Sequence, residues 1–149
     1  MTSDPVPEMR IRTYSSADEA AVVDLWRRCG LVVLHNNPHT DIARKLSVSP
    51  EGFFVGTLGD ELVATVMAGY DGHRGWLNYL AVAPHAQGRG YGRGLVEHAE
   101  ATLQARGCPK VNLQIRAANE QAAAFYARLG FARDEVISMG KRLISDQTG

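Results

Sequence analysis

The chain has 149 residues, 45% hydrophobic and 21% charged, with 16 Lys+Arg balanced by 16 Asp+Glu. That is the size of one ordinary domain, and zero net charge gives no global field for nucleic acid or an anionic membrane. Two cysteines without a CxxC pair, no apolar run near the roughly 20 residues of a membrane span, and no apolar signal region argue against a zinc site, a membrane anchor and secretion, so a cytoplasmic protein with no metal is expected.

Residues 1–8, with two prolines, read as a flexible tail, and 9–149 as a single domain. MRIRTY (9–14) alternates as a first strand. Ser15 or Ser16 can cap the next helix, with Glu19 three residues after Ser16 as in a capping box. Ala20, Val23, Leu25 and Trp26 follow, and Gly30 is a stop signal. LVVLHNNPHT (31–40) reads as a loop, although LVVL could be a short strand. In HNNPH, Pro38 disfavours the helix that would put His35 and His39 on one face. DIARKL (41–46) is a short second helix. FFVGTL (53–58), GDE and LVATVMAGY (62–70) make a β-hairpin, and GWLNYLAVAP (75–84) a third long strand.

GLVEHAEATLQARG is helical, with Leu95, Val96, Ala99 and Leu103 on its apolar stripe and Gly107 at its end. Val111, Leu113 and Ile115 alternate with polar residues as a half-buried strand. Asn119 can cap a helix running to Leu129. FARDEVISMGKRLI (131–144) fits one or two more strands. The order is that of an α/β (α+β) protein with a mixed sheet flanked by helices.

HAQGRGYGRGL (85–95) places glycines at 88, 90, 92 and 94 beside Arg89 and Arg93. A dinucleotide-binding G-x-G-x-x-G fails on spacing: its last position is Arg93 counted from Gly88 and Leu95 counted from Gly90. A disordered RNA-binding Arg-Gly segment repeats over long stretches, whereas this one is wedged between a strand and a helix. An anion cradle fits: strand, tight turn and helix N-terminus leave several N–H groups unpaired, and the helix dipole favours negative charge. No acidic residue lies between Asp71 and Glu97, while Arg74, Arg89 and Arg93 do.

Gln87-Gly88-Arg89-Gly90-Tyr91-Gly92 resembles the Q/R-x-x-G-x-G/A signature of GNAT acyltransferases. NEQAAAFYARLGF (119–131) resembles that family's N-x-x-A-x-x-x-Y-x-x-x-G-F segment. In order of elements the resemblance covers nearly the whole chain. YDGHRG (70–75) and GCPK (107–110) look most like the small YpeA-type bacterial members. The resemblance implies a mostly antiparallel central sheet of 6–7 strands, about four flanking helices and a splayed central strand pair. It also implies acetyl-CoA as cofactor, a small-molecule or peptide amine as partner and, optionally, a homodimer. The activity implied is N-acetyl transfer to a primary amine, a small molecule or a protein N-terminus, by direct attack in a ternary complex.

By the same resemblance, backbone donors in Gln87, Gly88, Arg89, Gly90, Tyr91, Gly92 and Arg93 grip the pyrophosphate. Leu80, Ala81 and Val82 pair with the pantetheine arm in the gap of the splayed strands. Asn119 matches a cofactor-contacting asparagine; as a residue it can equally be a plain helix cap. Tyr126 matches the general acid for the departing thiolate. Taken by itself it can equally be a core aromatic. VNLQIRAANEQAAAFYARLGF is similar to the ribosomal-protein N-terminal acetyltransferases, and Gln114 stands where those carry a glutamate base. An amide takes no proton, so Asp71, His73 and His35 are the alternative base candidates, beside a water relay or an amine already neutral. Acceptor contacts are expected from Asn36, Asn37, Asp71, His73, Arg74 and Gln114. Two rival classes are a cofactor-binding regulator without transfer and an RNA-binding module; the second predicts salt-dependent binding that a neutral chain disfavours.

Overall fold

Five strands form one sheet in chain order, β1 (Arg10–Thr13), β2 (Phe53–Leu58), β3 (Glu61–Tyr70), β4 (Gly75–Val82) and β5 (Val111–Asn112). They are seen in a computed structural model that describes residues 5–146. The first three pairings are antiparallel; β4 and β5 run parallel through only two pairs, Gly75 with Val111 and Trp76 with Asn112. β2 and β3 are almost wholly buried because both faces are covered. Helices α1 (Glu19–Arg28) and α2 (Pro38–Val48) lie on the face where Trp26 meets Phe53 and Thr65. Helix α3 (Tyr91–Ala105) lies on the other, where His98 meets Phe54. Helix α4 (Glu120–Arg128) packs beside the start of α3, Phe125 lying against Gly92. The fully buried apolar core runs from Tyr14 to Leu103.

Several expectations change in detail. A short 3-10 turn, Ser16–Asp18, precedes α1; Ser15 is its N-cap, and the capping-box partner is Asp18, which accepts from the Ser15 N–H at 2.9 Å, rather than Glu19 with Ser16. The second helix is longer than 41–46. Pro38 is its first residue, where a missing N–H costs nothing, and Asn37 caps it by accepting from the N–H groups of His39 (3.0 Å) and Thr40 (3.3 Å). His39 is therefore helical and His35 is not. No group of three metal-binding side chains occurs among the described residues.

Among the described residues the sheet has five strands, not 6–7. The strand expected over 111–116 stops at Asn112, so no edge is presented to a following ladder. Residues 131–144 instead run alongside through side chains: Lys110 Nζ meets Asp134 at 2.8 Å and Gln114 Nε2 meets Ser138 at 2.5 Å. The expected tail 1–8 lies partly outside the described residues; within them, the Pro7 carbonyl accepts from Tyr91 Oη at 2.6 Å. No helix among the described residues is long and apolar enough to cross a membrane.

Candidate functional site

From Leu77 onward β4 has no β5 partner, so one edge of Leu80, Ala81 and Val82 faces the splay. The other edge of Ala81 and Val82 is laddered to β3, Ala81 opposite Thr65 and Val82 opposite Ala64, while Leu80 has no β3 partner. The register slips between Thr65 and Met67, so β4 carries an extra residue in a bulge at Tyr79 and Leu80. The Val82 carbonyl is already occupied, by Gln87 Nε2 at 2.9 Å and by the Cys29 thiol at 3.4 Å. Gln87 thus braces the loop with its side chain.

Pro84–Ala86 make one 3-10 turn after β4, and α3 starts seven residues after Pro84. Between them Gly88 (φ +78) and Gly90 (φ +87) are left-handed, with open space where a Cβ would be. That conformation, not crowding, calls for glycine there. Gly92 has a different reason, since a Cβ would sit 3.2 Å from the Phe125 ring. Gly94 meets nothing closer than 4.0 Å, and nothing in the structure explains it. The consequence of the turn is a run of donors. The N–H groups of residues 88–93 have no acceptor among the described residues, and the first helical bond runs from the Gly94 N–H to the Gly90 carbonyl. Six consecutive free amides at the N-terminus of a 15-residue helix suit an anionic ligand, so the residues present fit a pyrophosphate. Arg89 is exposed with no ion pair among the described residues, whereas Arg93 is held by Glu97 at 2.7 Å.

Tyr126, Asn119 and Gln114 line one open cleft of about 1900 Å³ between α4, the β5 end and residues 131–139. Tyr126 is half-buried, edge-on to Phe125 and Phe131, and its hydroxyl has no partner among the described residues. Burial pushes its pKa up to about 12, so it keeps its proton at neutral pH. Asn119 caps α4 by accepting from the Ala122 N–H at 3.0 Å, which leaves its amide nitrogen free. Gln114 is exposed and donates to Ser138. Glu100, on α3, lines the same cleft, and burial followed by the neighbouring Glu97 pushes its carboxyl up. Sequence reasoning passed over it because it follows Glu97 by one helical turn, like a solvated face.

The other expected contacts lie elsewhere and are mostly engaged. Asp71 accepts from the N–H groups of His73 (2.8 Å) and Arg74 (2.7 Å) and from Trp76 Nε1 (3.2 Å). Those backbone donors hold its carboxyl below the usual range, the opposite of what a proton acceptor needs. His73 is exposed in that turn, and Arg74 lies beside it. Asn37 is a helix cap. Asn36 donates to Tyr79 Oη at 2.5 Å and accepts from the Val33 N–H at 2.9 Å. His35 is exposed on the same connection. Tyr79 was not foreseen: in the sequence it is one more strand residue, and nothing there signals its positive φ.

Residues 19–131 match the family model described as the acetyltransferase (GNAT) family. The chain is 44% identical over 140 residues to an acetyltransferase of Sodalis glossinidius (strain morsitans), covering 93% of this chain and 99% of that one. Among solved structures, the ribosomal-protein-S18-alanine N-acetyltransferase from Escherichia coli superimposes with a TM-score of 0.71 at 26% identity, covering 85% of this chain and 79% of that one. The NatC complex bound to Gag peptide and CoA superimposes with a TM-score of 0.73 at 20% identity, covering 86% and 87%.

Proposed function

The chain belongs to the GNAT acetyltransferase family and is an acyltransferase, and from that premise we propose that it moves an acetyl group from acetyl-CoA to a primary amine, of a small molecule or a protein N-terminus. The observation that carries the cofactor assignment is the run of six unpartnered N–H groups at residues 88–93. These amides, with Arg89, would hold the pyrophosphate, and the open edge of Leu80–Val82 would pair with the pantetheine arm. Bound acetyl-CoA supplies an activated thioester.

The protein's own residues do the rest. The Tyr126 hydroxyl, protonated across the neutral range, holds the proton a departing thiolate takes. Deprotonating the amine is the weaker provision. Gln114 takes no proton, and Asp71 is held ionised by its turn. Glu100 is the carboxyl whose surroundings favour accepting a proton in the Tyr126 cleft. Neutralising an α-amine of pKa ~8 at pH 7 costs about 1 kcal/mol, whereas a lysine near ~10.4 costs more than about 4. This supports an α-amine over a protein lysine as acceptor.

The test is thiol release from acetyl-CoA with α-amino peptides, lysine side-chain amides and small aliphatic amines. Turnover with at least one class is expected, fastest for α-amines. Tight acetyl-CoA binding in calorimetry with no thiol release from any of them would replace transfer by acyl-CoA sensing.

A further inference from the structure

Tyr79 is the one non-glycine residue with positive φ among the described residues, at +51. An L-residue holds that conformation only where its surroundings over-determine it, and such strain collects at functional positions. Three sets of contacts hold it. Its ring stacks on Trp26 with centroids 3.8 Å apart and planes 15° apart. Its carbonyl accepts from Thr65 Oγ1 at 2.8 Å, and Thr65 Oγ1 accepts in turn from Trp26 Nε1 at 2.9 Å. Its hydroxyl donates to Asp41 Oδ2 at 2.5 Å and accepts from Asn36 Nδ2 at 2.5 Å.

The last pair matters most. Asn36 folds the α1–α2 connection on itself through the Val33 N–H and reaches the Leu31 carbonyl at 3.5 Å. Asp41 belongs to the first turn of α2. One phenol therefore fastens that connection to β4, in the residue directly before Leu80, within the stretch that has no β5 partner. Packing alone would need the ring and not the hydroxyl.

We propose that Tyr79 is a positioning residue for acyl transfer: clamped between Asn36 and Asp41, it fixes the 31–37 connection against the strand edge Leu80–Val82 and so sets where the acceptor amine stands. This rests on the acetyl-transfer function argued above.

Tyr79→Phe keeps the ring and removes only the hydroxyl. The KM of whichever amine turns over should rise about tenfold, the size of losing hydrogen bonds to a charged partner. The acetyl-CoA Kd should stay within about twofold. Amide exchange over 33–37 should accelerate about tenfold while β2 and β3 stay unchanged. Asp41→Asn retains an acceptor for the phenol and should keep most of the protection, whereas Asp41→Ala should match Tyr79→Phe. Unchanged amine KM and unchanged loop exchange in Tyr79→Phe would overturn the proposal, as would acceleration spread over the whole chain. If the wild type turns over no amine, acetyl transfer itself fails, and exchange with acetyl-CoA as the only probe still decides. Protection of 33–37 gained on adding acetyl-CoA in wild type but lost in Tyr79→Phe supports the coupling; an equal gain in both overturns it.

Discussion

The turns at the two ends of β4 treat their backbone donors in opposite ways. Before the strand, the Asp71 carboxylate takes the N–H groups of His73 and Arg74, and the Asp71 N–H returns to the Arg74 carbonyl at 3.1 Å. After it, residues 88–93 leave six N–H groups open. A turn with an acidic residue at its first position completes itself. One built from glycine and arginine has no side chain able to accept, so its donors remain available to a ligand. The difference separates a self-satisfied connection from one with free donors at the two ends of one strand.

The contrast implies that cofactor affinity lives in the second turn and chemistry outside both. Tyr126→Phe should give the largest effect, a fall in kcat of about 10²–10⁴-fold, with acetyl-CoA affinity retained. A fall of only a few-fold, with chemistry limiting, would make Tyr126 a packing residue. Gly90→Asp places a carboxylate among the open amides, making the second turn resemble the first. Like-charge juxtaposition costs several kcal/mol, so acetyl-CoA affinity should fall on the order of 100-fold. The folded state should survive, since the site is open and left-handed geometry costs roughly 1–2 kcal/mol. Calorimetry showing unchanged affinity would remove the cradle.

Arg89→Gln should weaken binding by about threefold at low salt and less at high salt, because exposed phosphate contacts are screened. Arg93→Gln should do less, since Arg93 is already paired with Glu97. Equal effects from the two would show that this pair opens on binding. Asp71→Asn should change acetyl-CoA affinity least of all and lower the melting temperature slightly near pH 7. Because the folded pKa is depressed below the ordinary aspartate value of 3.8, the carboxylate's contribution is full above 3.8 and lost as pH falls through the lower folded value. The wild type and the variant should therefore converge in melts at strongly acidic pH.

Much of this was written in local patterns. The β2–β3 hairpin, the α3 stripe and the Asn119 cap are set by alternation, helical spacing and capping chemistry within a few residues. The turn with free donors at 88–93 was legible because its glycines announce geometry and its arginines a local positive charge. Yet four glycines that looked alike divide by cause: left-handed backbone at 88 and 90, contact with Phe125 at 92, and none visible at 94. Long-range partnerships were not legible. The alternation of 113–116 promised a longer strand, but β4 turns away after Trp76 and leaves nothing to pair with. Asp71 carried the right functional group for a base, and only its contacts with His73, Arg74 and Trp76 show it engaged. Tyr79 depends on Asn36, Asp41, Thr65 and Trp26, residues up to 53 positions away in sequence, and no single stretch contains the signal.

The buried apolar residues among those described end at Leu103, and the chain from Tyr14 to that point includes β2–β4, the 88–93 turn and nearly all of α3. Synthesis proceeds from the N-terminus, and domains generally fold as units. A ribosome that has released residues up to the end of α3 has therefore released every buried apolar residue of that core, before Val111, Phe125 and Tyr126, which pack against it, emerge. The order of birth therefore puts the proposed cofactor turn before the proposed proton donor, and a chain interrupted near residue 110 would hold every buried apolar residue of the core and lack Tyr126.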